Sequence, residues 1–297
     1  MSTANIELLA AYWTIAGDVY PCAPNEISPF SLRERAEAAS RAGWNGVGLI
    51  LPDLKYNVEK FGLSGVKHIL EDTGMKYFEL EILVDWYRTG DERALSDQHR
   101  RDFIELGGAL GMRNLKIGAS HLDEGPADLP QIADAFARLC EDVAQIDATV
   151  SLEFMPFSIV KNLQDGLAIV EGADQPNGGL MLDIWHVARS GCDYSEIAKV
   201  PTKYIKGIEL DDGDAQVVGT LFEDTRFQRR LCGEGTFDCP AFIDAVWAAG
   251  MPVPYYGVEL ISETFRKLPL DEMAKRAYDT TIAQFSSEAK SKGRAAA

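Results

Sequence analysis

Residues 150–154 read VSLEF, 180–186 LMLDIWH, 205–212 IKGIELDD and 255–262 YYGVELIS. Each is an apolar run of strand length that ends in an acid: Glu153, Asp183, Glu209 and Glu259. Helix-like segments separate the runs, the alternation that builds a parallel sheet. Side chains alternate across a strand, so parity says which residues share a face. Val150 and Leu152 oppose Ser151 and Glu153, and Leu180 and Leu182 oppose Gly179, Met181 and Asp183. Ile208 and Leu210 oppose Gly207 and Glu209, and Val258 and Leu260 oppose Gly257 and Glu259. One face is greasy and suits packing against helices; the other carries mostly small residues below an acid.

Outward from these four, strand-like runs lie at about 5–15, 45–51, 77–85 and 114–119. With 149–155, 179–185, 204–210 and 255–261 they make eight, the number that closes an α/β fold of the (β/α)8 TIM barrel type. Helical patterns fall between them. SLRERAEAASRAG starts at an N-cap, Ser31, and stops at Gly43. DQHRRDFIELGGALG, DLPQIADAFARLCEDVAQ, CPAFIDAVWAAG and LDEMAKRAYDTTIAQF carry apolar residues at helical spacing. No linker or composition shift divides the chain. The expectation is a single domain over 1–297, with a core at about 5–285 and a flexible tail at 286–297. The segment 212–237 is too long for a turn and is expected to reach substrate from the barrel rim.

Inward parity puts the four acids together at the C-terminal mouth. A buried lone carboxylate is costly, and four repel each other unless a cation holds them. The pattern therefore predicts a metal site of Glu153, Asp183, Glu209 and Glu259. Four carboxylates around a divalent ion leave two excess negative charges. Either one acid keeps a proton, or Glu209 stands off the metal, or Lys116 of NLKIG (114–118) offsets the excess. An all-oxygen shell favours Mn²⁺ or Mg²⁺ over Zn²⁺. Glu81 in YFELEIL shares the inward parity and either hydrogen-bonds substrate or pairs with Lys116. Trp13, Tyr12, Trp86 and Trp185 lie at or near strand ends, either as walls for the apolar face of a sugar or as barrel packing. His68, His99 and His121 read as surface residues, and Asp211 and Asp212 as exposed acids beside Glu209. The GEG at 233–235 is not a phosphate motif, because no GK[ST] follows it.

The net charge of −17 and pI near 4.7 repel phosphate backbones, which excludes nucleic acid and anionic membranes as expected partners. Five cysteines without a CxxC pair fit reduced thiols and a cytoplasmic setting. Neither a signal peptide nor a membrane-spanning run is evident.

LEFMP, LDIWH, GIELDD, RLCGEGTFDCPAFIDAVWAAG and YYGVEL resemble the xylose-isomerase-like TIM barrels, and more closely their sugar phosphate isomerase/epimerase group. The group includes ketose 3-epimerases, inosose dehydratases and isomerases, and 3-dehydroshikimate dehydratases. The resemblance implies one divalent ion on Glu153, Asp183, Glu259 and the residue at Glu209, where the group usually has His or Gln. It implies that His186 contacts a substrate oxygen or assists proton transfer, and that Glu153 or Glu259 acts as base, with His186 and Lys116 counted beside them as catalytic residues. Trp185, Glu81, Trp13 and a cation from Arg229 or Arg230 would line the substrate. Two epimerase positions differ: Ile159 stands where a second Glu is usual, and Ala215 where an Arg is usual. The implied activity is a metal-dependent isomerase or epimerase acting through an enediolate of a sugar- or polyol-derived hydroxy-ketone. The alternatives are a lyase of the same group or a non-catalytic binding subunit. The implied partner is a small molecule, and a homo-oligomer is an open expectation.

Overall fold

The structure is a computed structural model and describes residues 6–123, 125–250 and 253–285. The expected tail at 286–297 lies outside the described residues. Eight strands occur: β1 (Leu8–Ala10), β2 (Gly46–Ile50), β3 (Tyr77–Leu83), β4 (Asn114–Gly118), β5 (Thr149–Glu153), β6 (Gly178–Asp183), β7 (Ile205–Leu210) and β8 (Tyr256–Val258). Each pairs in parallel with the next, and β8 pairs with β1, so the sheet is a closed barrel. The helices are α1 (Tyr12–Ile15), α2 (Leu32–Ala42), α3 (Leu51–Asp72), α4 (Gly90–Leu110), α5 (Leu129–Ala144), α6 (Leu163–Ala173), α7 (Ile184–Arg189), α8 (Tyr194–Ile197), α9 (Leu221–Phe227), α10 (Cys239–Ala248) and α11 (Leu270–Ala283). None among the described residues is long and apolar enough to cross a membrane.

All eight expected strands form. The first is shorter than 5–15, because the chain turns into α1 directly after Ala11. The ends of the helices follow their sequence signals. Ser31 and Glu34 make a reciprocal capping box on α2, and Gly43 ends it at φ 106°, where a side chain would be strained. Asp128 and Asp238 cap α5 and α10, each followed by proline in the first turn.

Parity determines what fills the axis. Gly257 leaves room for its neighbour, since a Cβ there would meet Glu209 Cγ at 2.8 Å. Gly207 does the same for Met181. Asn114 donates to Ser151 Oγ at 2.8 Å, and Tyr255 donates to Glu79 at 2.5 Å, so the lower axis is packed and hydrogen-bonded. The outward faces, among them Val150, Leu152, Leu180, Leu182 and Ile208, are buried in one apolar cluster with the helices. The barrel therefore has a solid floor and presents its strand C-termini at one end.

The seam between β1 and β8 has a side-chain latch. Thr14 Oγ1 donates to the Val258 carbonyl at 2.7 Å and accepts the Leu260 N–H at 2.9 Å. Both strands are only three residues long, and this hydroxyl pairs the Leu260 N–H and adds a second bond to the Val258 carbonyl, which also accepts the Ala11 N–H at 3.0 Å.

Candidate metal and active site

The strand C-termini open into a cavity of about 590 Å³, a size suited to a small molecule. The ends of strands β5 to β8 bring Glu153, Asp183, Glu209 and Glu259 together at its base, where Glu153 and Glu259 line it and one oxygen from each of the four lies within 4.8 Å of the others. All four are buried. Strand β4 adds Lys116, whose Nζ lies 2.6 Å from Glu259 Oε1, 2.8 Å from Glu209 and 2.7 Å from Glu81 Oε2. Glu81 also accepts the Tyr12 N–H at 2.7 Å, which fixes it under the N-terminal segment.

A second buried cation enters from the segment between β7 and α10. Arg229 Nη1 bonds Asp183 Oδ2 at 2.7 Å and pairs with Asp211. Its Nη2 lies 3.2 Å from Glu259 Oε2 and donates to Thr225 Oγ1 at 2.9 Å. Asp183 ends β6 and caps α7, its Oδ1 accepting the N–H groups of Trp185 (2.7 Å) and His186 (3.2 Å). This cap sets His186 at the cavity wall, 3.7 Å from Glu153. Arg229 Nη2 lies 3.3 Å from His186 Nε2. A guanidinium cannot accept, so Nε2 is the acceptor and the ring proton sits on Nδ1. That Nδ1 has no partner among the described residues.

The charges around this floor do not balance. Six carboxylates (Glu81, Glu153, Asp183, Glu209, Asp211 and Glu259) are buried against two cations, Lys116 and Arg229. The shortfall is visible in the titration of the acids. Burial, with Glu259 and Asp183 adding repulsion, pushes Glu153 up to about 8 despite Lys116. Burial pushes Glu81 up to about 7, and raises Glu209 well above the usual carboxylate range even with Lys116 against it. Asp211 is likewise raised by burial, with Asp183 adding repulsion. Burial also acts on Glu259, but Lys116 and Arg229 more than offset it and hold that acid ionised. Burial, reinforced by Arg229, keeps His186 neutral.

One oxygen on this floor, Glu153 Oε1, is buried without a hydrogen bond, whereas both Glu209 oxygens lie 2.8 Å from Lys116 Nζ. An unpaired carboxylate oxygen that converges with three further acids fits a divalent cation, as does the excess negative charge. A second grouping, Glu153, Asp183 and His186, also lies within 4.8 Å and would add a nitrogen donor.

Several expected residues fall elsewhere. Arg230 is not at the cavity: its half-exposed side chain pairs with Asp214 at 2.7 Å, and Arg229 takes the inward place. Adjacent residues on an extended segment face opposite ways, so only one of the two could point in. Trp185 is fully buried behind His186 and beneath Arg229, and does not line the cavity. Tyr12 and Trp86 are packing residues, bonded to Asp53 and to the Gly118 carbonyl. Trp13 and Glu81 do line the cavity. Asp211 and Asp212 are buried rather than exposed. Asp212 accepts the N–H groups of Gly213, Gly233, Gly235 and Phe237 at 2.8–3.0 Å, which explains the GEG. A side chain at Gly235 would run into Asp212. His99 and His121, expected at the surface, are half-buried and line the cavity. His121 stacks on Phe222 at 4.1 Å and 9°, a contact between distant segments with no sequence signal.

Comparison with known proteins agrees with this geometry. Residues 36–283 match the pattern of the xylose isomerase-like TIM barrel family. The chain is 27% identical over 245 residues to a 3-dehydroshikimate dehydratase of Pseudomonas aeruginosa, covering 80% of this chain and 37% of that protein. It thus spans well under half the length of that relative. It is 27% identical to an inosose isomerase of Halalkalibacterium halodurans, covering 74% of this chain and 79% of the other. Among solved structures, the IOLI protein with a binding zinc atom superposes with a TM-score of 0.79 at 18% identity, over 94% of this chain and 98% of that one. A closed parallel barrel with acids at four successive strand ends, and a family pattern running through most of its length, place this chain in the xylose isomerase-like TIM barrel family.

Proposed function

We propose that this chain is a divalent-metal-dependent isomerase or epimerase of a sugar- or polyol-derived hydroxy-ketone. One observation carries the reading: four buried carboxylates from the ends of β5–β8 converge within 4.8 Å at the base of a ligand-sized cavity that Glu153 and Glu259 line, and Glu153 keeps an unpaired oxygen. Glu153, Asp183, Glu209 and Glu259 would hold the ion, and their all-oxygen set favours Mn²⁺ or Mg²⁺. The zinc of the IOLI protein and the nitrogen of His186 mark Zn²⁺ as the competitor. A divalent ion held there would supply Lewis acidity to a substrate carbonyl.

The chain's own residues supply the rest. Glu153 is the proton acceptor, since it lines the cavity and its Oε1 has no hydrogen bond to the protein. Glu259 is locked by two cations and is the poorer base. Lys116 Nζ borders the cavity and stabilises negative charge developing on a substrate oxygen. His186, neutral and with an unpaired Nδ1–H, donates to a second oxygen.

A second reading is elimination. Ile159 and Ala215 leave the site without the additional acid and arginine usual in epimerases of the group, and neither residue lines the cavity. A dehydratase is among the similar proteins. Incubation with candidate ketoses in D₂O separates the two. Solvent deuterium in a product of unchanged formula supports isomerisation, whereas a product lighter by water supports elimination. Purified protein with neither a bound divalent ion nor a thermal shift on adding Mn²⁺ would instead favour a binding subunit.

A further inference from the structure

The cavity is polar at the bottom and apolar above. From His186 at the floor, an aromatic wall climbs through Phe157 (ring centroids 5.7 Å apart) and Phe222 (5.4 Å further) to His121 (4.1 Å). Elsewhere the lining includes Trp13, Leu51, Pro52, Val84, Phe103 and Leu122. Most of the upper charged groups already have partners, and Arg226, whose buried Nε has no hydrogen bond, is the exception. Lys55 pairs with Asp102, Asp85 with Arg88, and Glu26 accepts the Cys22 N–H at 2.6 Å. The Arg226 guanidinium lies over the rings of Tyr20, Phe222 and Phe227 at 4.9–5.1 Å. A free sugar extended upward from the floor would find few hydrogen-bond partners for its hydroxyls, and desolvating them unpaired is unfavourable.

From this division we infer that the substrate is a hydroxy-ketone bearing a flat apolar substituent, with its polar head on Glu153, Lys116 and His186 and its ring against Phe157, Phe222 and His121. Aromatic rings of a ligand and a wall favour offset or edge contact beyond simple burial, and three rings in sequence offer a surface long enough for one planar group. The inference rests on the hydroxy-ketone reading of the floor. It goes further in assigning the upper cavity to an aryl group, which makes free sugars poor ligands.

The test compares two probes on Mg²⁺-loaded protein by ligand-observed NMR titration. Hydroxyacetone and 2-hydroxyacetophenone share a vicinal carbonyl and hydroxyl and differ by methyl against phenyl. The aryl probe is expected to bind about tenfold tighter or more. Phe222→Ala, at a partly exposed helix position, should erase most of that advantage and leave hydroxyacetone unchanged. His121→Ala should do the same to a smaller extent. Equal affinity for the two probes would overturn the aryl assignment while leaving the reading of the floor intact. A preference that survives both substitutions would overturn the assignment to this wall. Binding of neither probe would overturn the reading of the floor, and this inference with it.

Discussion

Lys116 is the residue on which the site's charge balance turns. Its ammonium touches Glu81, Glu209 and Glu259, none of them more than 5% exposed. Lys116→Met would leave those acids without their shared counter-ion, and losing one partner of a buried ionic cluster costs about 3–5 kcal/mol. Urea denaturation of the metal-free variant should show that loss. Titration with Mn²⁺ should show tighter binding than the parent, because a competing cation has gone. The protons held by the acids give a second expectation. Glu153 titrates near 8 when folded, against an ordinary value of 4.5. The native state therefore binds more protons than the unfolded state between those values, and metal-free stability should fall as pH rises through that window. Mn²⁺ affinity should rise over the same window, since the ion displaces those protons. Melting curves and calorimetry from pH 5.5 to 8 check both signs. At this scale the sequence was informative about type and less so about direction. The four acids and Lys116 were legible from parity on regular strands. Arg229 and Arg230 could not be separated, because they lie outside a strand whose facing is fixed in advance.

The element that the sequence described least is the segment from β7 to α10. Its length predicted a rim loop; α9 within it starts at a local Thr220–Glu223 capping box that the sequence reading passed over, and two isolated antiparallel bridges, Asp212 to Arg230 and Gln228 to Ser262, are set by tertiary contacts. Asp212 organises it by collecting four backbone N–H groups, a role that a DD pair after a strand does not announce. Asp212→Asn would present an NH₂ to donors and leave about two N–H groups unmatched, at about 1–3 kcal/mol each. The bridge from Asp212 to Arg230 lies next to Arg229, so the same variant should lose Arg229's alignment. Denaturation should show the stability loss, and kcat/KM on an identified substrate should fall by more than tenfold. The eight strands and the capped helices α2, α5 and α10 were legible because their signals are local: alternation, N-caps, and glycine or proline at fixed offsets.

For the whole molecule, closure depends on the shortest strands. Thr14→Val keeps shape but removes the hydroxyl that bridges Val258 and Leu260 across the seam, leaving the buried Leu260 N–H unpaired while the Val258 carbonyl keeps the Ala11 N–H. The expected loss is about 1–3 kcal/mol, read as a lower urea midpoint with an unchanged m-value. The barrel was legible from counting strands. Its aromatic wall was not, since Phe157, Phe222 and His121 meet only after the barrel has formed. Lys116 and Arg229 have one more consequence. Because the chain carries its own cations to the crowded acids, the barrel can fold before any ion arrives. Assembly and loading are then separate events, and the ion found in the protein would record what its surroundings supplied rather than what folding required.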